Sequence, residues 1–294
     1  MKKYGIQKAY SIWFAVPALI LFSVFFIVPN LASFVLGFTD WSLFNFYDIR
    51  FNGLDNFVRL FTEKHFIRTV LNTFYFAIVT VILKNVLGFV LALIAYKPGK
   101  FNNYLRVLIF FTITISSMVV AIIFLAIYNP TNGIINETLR FLNLDSLTQD
   151  WLFNAKYSML SICAMEVWQW TGFNFVIFIA GLQAIPHEYY EAASIDGAGR
   201  WQRLIHITVP LMVQSINVTF IFSVISGLKV FTQVYATTNG GPAGATQVLS
   251  TYLYNSFGQG YLGYSSAVGL FITIMIMSLT LGVLRVLRKH EVEL

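Results

Sequence analysis

The chain has 294 residues, of which 57% are hydrophobic, 17% aromatic and only 11% charged, with a mean hydropathy of +0.70. A water-soluble chain carries about a quarter of its residues as charges, so much of this surface faces something other than water. The net charge of +6 does not indicate nucleic acid. Lys and Arg occur singly or in pairs between apolar stretches and build no basic face with interleaved aromatics.

A bilayer core of ~30 Å needs about 20 apolar residues in helical conformation. Six runs meet or approach that length: 12–38, 69–96, 105–128, 158–181, 211–228 and 264–284. Lys2, Lys3 and Lys8 precede the first run. Its apolar part outlasts the 7–15 residues of a signal peptide, and no clear small-residue cleavage site follows. It reads as a retained helix with Pro17 near its start and Pro29 bending it. The second run carries Lys84, and its Gly88 and Ala92, four apart, suit close helix approach. The fourth contains Cys163, the one cysteine of the chain, which excludes an internal disulfide. The fifth is the most polar, with Gln214 and Asn217. Lipid-exposed backbone must satisfy its own hydrogen bonds, and no ~10-residue alternation supports a barrel. The expected fold is all-α and polytopic, with six transmembrane helices in a single domain over residues 1–294.

Basic residues accumulate on the cytoplasmic side of membrane proteins. With the N-terminus inside, the inner segments hold 11 basic and 5 acidic residues and the outer segments 7 of each, leaving Lys84 and Glu166 within spans. The whole net charge then sits on one face, which puts both termini in the cytoplasm.

No Lys is followed by Ser or Thr, so the phosphate-cradling loop that ends in Gly-Lys-Ser/Thr is absent. His65, His187, His206 and His290 show no metal-ligand spacing. No catalytic residue, metal or cofactor is expected. The inner connection 182–210 has a distinctive pattern. Pro186 suits a helix start, and Glu188 and Glu191 suit the positive end of a short helix. Gly197 and Gly199 permit a sharp turn, Arg200 to Ile207 can form a second short helix, and Pro210 opens the next span. On physics alone this is either a docking surface for a cytoplasmic partner or an ordinary interfacial hairpin.

Glu191-Ala192-Ala193, Gly197 and Ile207-Thr-Val-Pro210 resemble the Glu-Ala-Ala loop of binding-protein-dependent transport permeases, the membrane subunits of bacterial ATP-driven importers. That family usually has Leu where this chain has Val209. Leu54-Asp-Asn-Phe-Val-Arg-Leu-Phe61, Asn129-Pro-Thr-Asn-Gly133, Gly181-Leu-Gln183 and Thr238-Asn-Gly-Gly-Pro242 look like the carbohydrate branch, and within it the first of the two permeases. The resemblance implies a type I importer permease fold in a bacterial inner membrane, translocating a sugar or sugar derivative. It also implies a second, related permease, two copies of a cytoplasmic ATPase, and an extracellular or periplasmic sugar-binding protein. Glu191, Ala192, Ala193 and Gly197, with Glu188 and Asp196 beside them, would form the coupling helix that meets the ATPase.

In the fourth span Glu166, Gln169, Trp170, Phe173 and Asn174 share one helical face at spacings of three and four. Hydrogen-bonding groups beside aromatic plates suit a sugar's hydroxyls and flat C–H faces. With Gln214 and Asn217 of the fifth span they are candidate substrate contacts, or else polar links between helices. Lys84 and Glu166 each need a partner or water. Counting from the outer ends of their spans places them ~10 Å apart in depth, which leaves open whether they pair. An ion-coupled secondary transporter built on these two charges is the alternative function.

Overall fold

The computed structural model describes residues 12–288. Lys2, Lys3, Lys8, Lys289, Glu291 and Glu293, which enter the charge division, lie outside the described residues, as does His290. Among the described residues the structure is helical, with one isolated bridge between Thr39 and Phe51. Four helices are long and apolar enough to cross a membrane, or up to six if each of two bent pairs is one span.

Helix α1 (Trp13–Leu36) has no buried residue in its regular parts, as expected of a helix that is apolar all round and meets lipid. Its turn Ser23–Ile27 is π-helical, with Val28 N–H bonded to Ser23 O. Pro29 follows directly. A proline offers no N–H and its ring crowds the carbonyl four residues back, and a widened turn accommodates both.

The chain divides into two compact units, the first being everything described up to Thr62 together with Leu253–Thr273. Here α2 (Asp55–Thr62) explains the Leu54–Phe61 motif. The Asn56 amide donates to Gly37 O at 2.9 Å and Thr39 O at 2.8 Å, tying α2 to the chain leaving α1. The Arg59 guanidinium lies over the rings of Tyr264 at 4.4 Å and Tyr261 at 5.4 Å.

The second unit opens with α3 (Lys64–Ala95), 32 residues long and thus about 48 Å at 1.5 Å per residue, well beyond the bilayer core. After it come α4 (Lys100–Thr114), α5 (Ser117–Ile127), α6 (Ile134–Phe141), α7 (Ser158–Ala184), α8 (His187–Ile195), α9 (Arg200–Leu211), α10 (Val213–Leu228) and α11 (Thr232–Thr237). Helices α12 (Leu249–Gly258) and α13 (Leu262–Arg288) each contribute residues to both units. Helix α7 packs chiefly against α3, which also receives α10. A Cβ on Gly88 would lie 2.9 Å from Asn174 Cβ and 3.2 Å from Phe175 N, so glycine permits α3 to approach α7 this closely. Phe76, Val120, Ile162, Met165 and Val234 belong to one buried core, and Ala92, Phe175, Phe178 and Met212 to another. Arg106 donates to Ala95 O at 2.9 Å and Tyr96 O at 2.6 Å, placing a cation on the negative end of α3.

Beyond shifted ends such as the start of α3 at Lys64 rather than residue 69, the structure differs from the expected spans at three places. Residues 105–128 are not one helix, because α4 and α5 meet at a bend of 102°. The span over 211–228 is α10, only 16 residues long, preceded by α9 across a bend of 68°. The connection 229–263 holds a short buried helix, α11, that returns into the second unit.

Candidate functional site

The polar stripe of α7 faces inward. Glu166, Gln169 and Asn174 are buried, while Trp170 and Phe173 are half-buried and the Phe173 ring meets Phe222 of α10 edge-on at 5.5 Å. On α10, Asn217 is buried and Gln214 is exposed.

Lys84 and Glu166 form an ion pair at 3.1 Å, with side chains 2% and 3% exposed. The depth count from span ends misleads because α3 starts well outside the expected boundary and the helix ends are not level. The contact of Gly88 with Asn174 sets Lys84 level with residue 170, about one turn from Glu166. A helical side chain leans toward its own N-terminus, and the lysine stem spans that turn. Lys84 Nζ also donates to Ser226 Oγ at 3.0 Å, and Ser226 donates to Ser223 O at 3.0 Å. Ser223 Oγ in turn accepts from Asn174 at 3.0 Å and from Asn85 at 3.2 Å. The pair therefore lies in a continuous polar cluster built by α3, α7 and α10.

Gln233, absent from the expected site, completes it. It sits on α11, is 5% exposed, and its amide donates to Glu166 Oε2 at 2.6 Å and to Gln169 Oε1 at 3.2 Å. The signal lay in Val230-Phe-Thr-Gln-Val-Tyr-Ala236, a run too apolar for a solvated loop. Gln169 donates to Ile115 O at 2.9 Å, and Thr112 Oγ1 donates to Gln169 O at 3.0 Å. Ile115 is the extended residue after α4, so the side chain of α7 satisfies a carbonyl that the broken helix releases, as low-dielectric surroundings require.

The connection 182–210 forms a helix–turn–helix. Pro186 precedes α8, whose first turn carries Glu188. Ala198 N–H reaches Ala193 O at 2.8 Å and Gly197 N–H reaches Ser194 O at 3.2 Å, the paired bonds of a Schellman termination. Gly197 has φ +76°, a region that glycine enters freely. The two helices are held by Tyr190 OH with Thr208 Oγ1 at 3.0 Å and by Arg203 donating to Ser194 Oγ at 3.0 Å. A cleft of about 330 Å³ between them is lined by Ala193, Asp196, Gly197, Arg203, His206 and Ile207. Glu188, Glu191, Ala192 and Asp196 are exposed and Ala193 is half-buried, with Glu191 2.9 Å from His187 Nδ1. Beside them Ile195 is 87% and Trp201 74% exposed. The second helix runs to Leu211 rather than Ile207 and contains Pro210. Its π-turn Leu204–Thr208 repeats the arrangement before Pro29.

Removing one member of a buried pair strands the other, at about 3–5 kcal/mol. Lys84→Met alone should lower the thermal unfolding temperature of the purified protein well below that of Lys84→Met/Glu166→Met, in which neither charge is left. Equal losses in the single and double variants would show that the pair carries no coupling.

Residues 84–291 match the family model described as the inner membrane component of binding-protein-dependent transport systems. The chain is 34% identical over 283 residues to the Probable ABC transporter permease protein YurN of Bacillus subtilis, covering 95% of this chain and 96% of that one. It is 33% identical to the diacetylchitobiose uptake system permease protein NgcF of Streptomyces coelicolor, covering 85% and 74%. The fold is similar to that of a bacterial ABC transporter involved in import of the acidic polysaccharide alginate, with a TM-score of 0.82, 24% identity and 94% of each chain covered. Apolar helices of spanning length, an importer-permease fold and a family model covering most of the sequence agree with one another. This chain is a multi-pass membrane protein of the binding-protein-dependent transport system inner membrane component family.

Proposed function

We propose that residues 1–294 work as one permease domain that translocates a sugar or sugar derivative in an ATP-binding-cassette importer. The observation that carries the reading is the inner helix–turn–helix. It presents an exposed acidic helix, two exposed large apolar side chains and an open cleft in a sequence with no nucleotide-binding loop. Exposed Ile195 and Trp201 are what a docking surface offers a partner. The sugar assignment draws on relatives such as the diacetylchitobiose permease and on the buried amides and hydroxyls gathered around Glu166, with Trp170 and Phe173 half-buried on the same helix.

In this reading the loop carrying Glu188, Glu191, Ala192, Ala193, Asp196 and Gly197 is cytoplasmic and both termini lie inside. Two ATPase copies dock beneath this chain and a second, related permease, this chain being the first of the pair. A sugar-loaded binding protein delivers from outside. ATP-driven closure of the ATPases moves the two loops and opens the helix bundle outward. The pathway residues are Glu166, Gln169, Trp170, Phe173 and Asn174, joined by Gln214 and Asn217.

Hydrogen bonds to a carboxylate contribute about 1.5–3 kcal/mol when partly desolvated. Glu191→Lys should therefore lose co-purification of the ATPase by tenfold or more, while the protein stays inserted in the membrane. Gly197→Val, strained at positive φ, should act in the same direction. Retention of the ATPase at wild-type level in Glu191→Lys would remove this loop as the coupling surface. Orientation is read by placing cysteines at Asn52 and Gln202 in a Cys163→Ala background. An impermeant thiol reagent applied to intact cells should label the first and spare the second, and the reverse would invert the topology. For the pathway, Gln169→Ala should change the order in which maltose, lactose, trehalose and diacetylchitobiose are taken up. An unchanged order would reduce Gln169 to a link between helices.

A further inference from the structure

Glu166 and Gln169 point two acceptors at one place, and a single amide fills it. Gln233 supplies both donors, at 2.6 and 3.2 Å, and it comes from neither α3 nor α10, whose serines, asparagine and lysine complete the rest of the cluster. It arrives on α11, six residues long, inserted from the connection after α10 and packed against α5 and α7. The far end of this connection is fixed separately. Asn72 of α3 donates to Gly244 O and Gln247 O, both at 3.0 Å, and Arg68 donates to Ala243 O at 3.2 Å. The turn beginning Thr238-Asn-Gly-Gly-Pro242 is therefore anchored to α3, while α11 reaches in from it and places one neutral amide on the two acceptors.

The electrostatics of the place restrict what else it can hold. Glu166 Oε1 is already matched by Lys84 at 3.1 Å, so the cluster carries no uncompensated charge. A second cation would meet Lys84, and an anion would face two acceptors, one of them the Glu166 carboxylate. The group that fits is a neutral one with two adjacent donors. Vicinal hydroxyls of a saccharide satisfy that description as well as a primary amide does.

We propose that Gln233 is a resident stand-in for substrate, holding Glu166 and Gln169 in the closed permease until the vicinal hydroxyls of a neutral saccharide displace it and free α11. The proposal rests on the pathway reading above and deepens it. Gln233 becomes a positioning residue whose loss makes opening easier without sugar, and the class of substrate becomes an uncharged one, unlike the acidic alginate carried by the structural relative.

The test uses the complete transporter, with its second permease, ATPase and binding protein, reconstituted in lipid nanodiscs. ATP hydrolysis is measured with the binding protein empty and then loaded with maltose, lactose, trehalose or diacetylchitobiose, whichever the uptake series ranks first. Gln233→Leu keeps the volume and removes the donors, and Gln233→Ala serves if leucine impairs assembly. Two net hydrogen bonds lost from the closed state alone should raise sugar-free hydrolysis at least about fivefold, shrinking the ratio of loaded to empty rates. A merely structural glutamine would lower both rates together and leave the ratio intact. If Gln169→Ala reorders the sugars but neither Gln233 variant changes the ratio, this proposal falls and the pathway reading survives. If Gln169→Ala leaves the order unchanged, the pathway reading falls and takes the proposal with it.

Discussion

The buried pairing of Lys84 with Glu166 is the constraint from which much of the second unit follows. A charge in the bilayer interior costs at least ~2.5 kcal/mol and more when unpartnered, so each of the two has to meet donors or acceptors from neighbouring elements. The lysine needs α3 set in register with α7, which Gly88 permits by removing a side chain at the contact with Asn174. Its second bond requires Ser226 of α10. The carboxylate's other oxygen requires α11 to turn back and bring Gln233. Helices that lipid alone would leave free to slide are thereby fixed by polar groups that have no favourable alternative.

The same logic accounts for the broken helix between α4 and α5. An unwound backbone in apolar surroundings is tolerated only where something replaces the lost bonds. Gln169 supplies a donor to Ile115 O while its own carbonyl oxygen receives Gln233. One side chain thus serves both a helix break and the polar cluster. By contrast, the helix–turn–helix over 187–211 is held by local chemistry: a Schellman turn at Gly197 and two cross-links between short helices. It is self-contained and exposed, which is what the proposed coupling role requires.

What the sequence reveals and conceals divides along this line. Largely apolar runs of spanning length disclose α1, α3, α7 and α13, because length and mean hydropathy decide them. The acidic loop is legible from Pro186, the Glu spacing and Gly197, all of which act over a few residues. The stripe of α7 is legible because helical periodicity is local too. The bend at 115–116 has no proline or glycine to announce it, and the bond that compensates it comes from the side chain of Gln169, over fifty positions away. Gln233 is concealed for a similar reason, since a six-residue helix between two spans reads as an outer loop until its partners on α7 are known. The Lys84–Glu166 pair was obscured by an assumption that helix ends are level, which a 32-residue helix violates.

The account stands or falls on where the energy comes from. The most direct measurement is accumulation of a radiolabelled sugar in proteoliposomes containing this chain, its permease partner, the ATPase and the binding protein. Internal ATP is present or absent, and ionophores collapse the proton and sodium gradients. The account predicts accumulation that needs ATP and the binding protein and persists after the gradients are gone. Accumulation by this chain alone, without ATP and abolished by the ionophores, would contradict it.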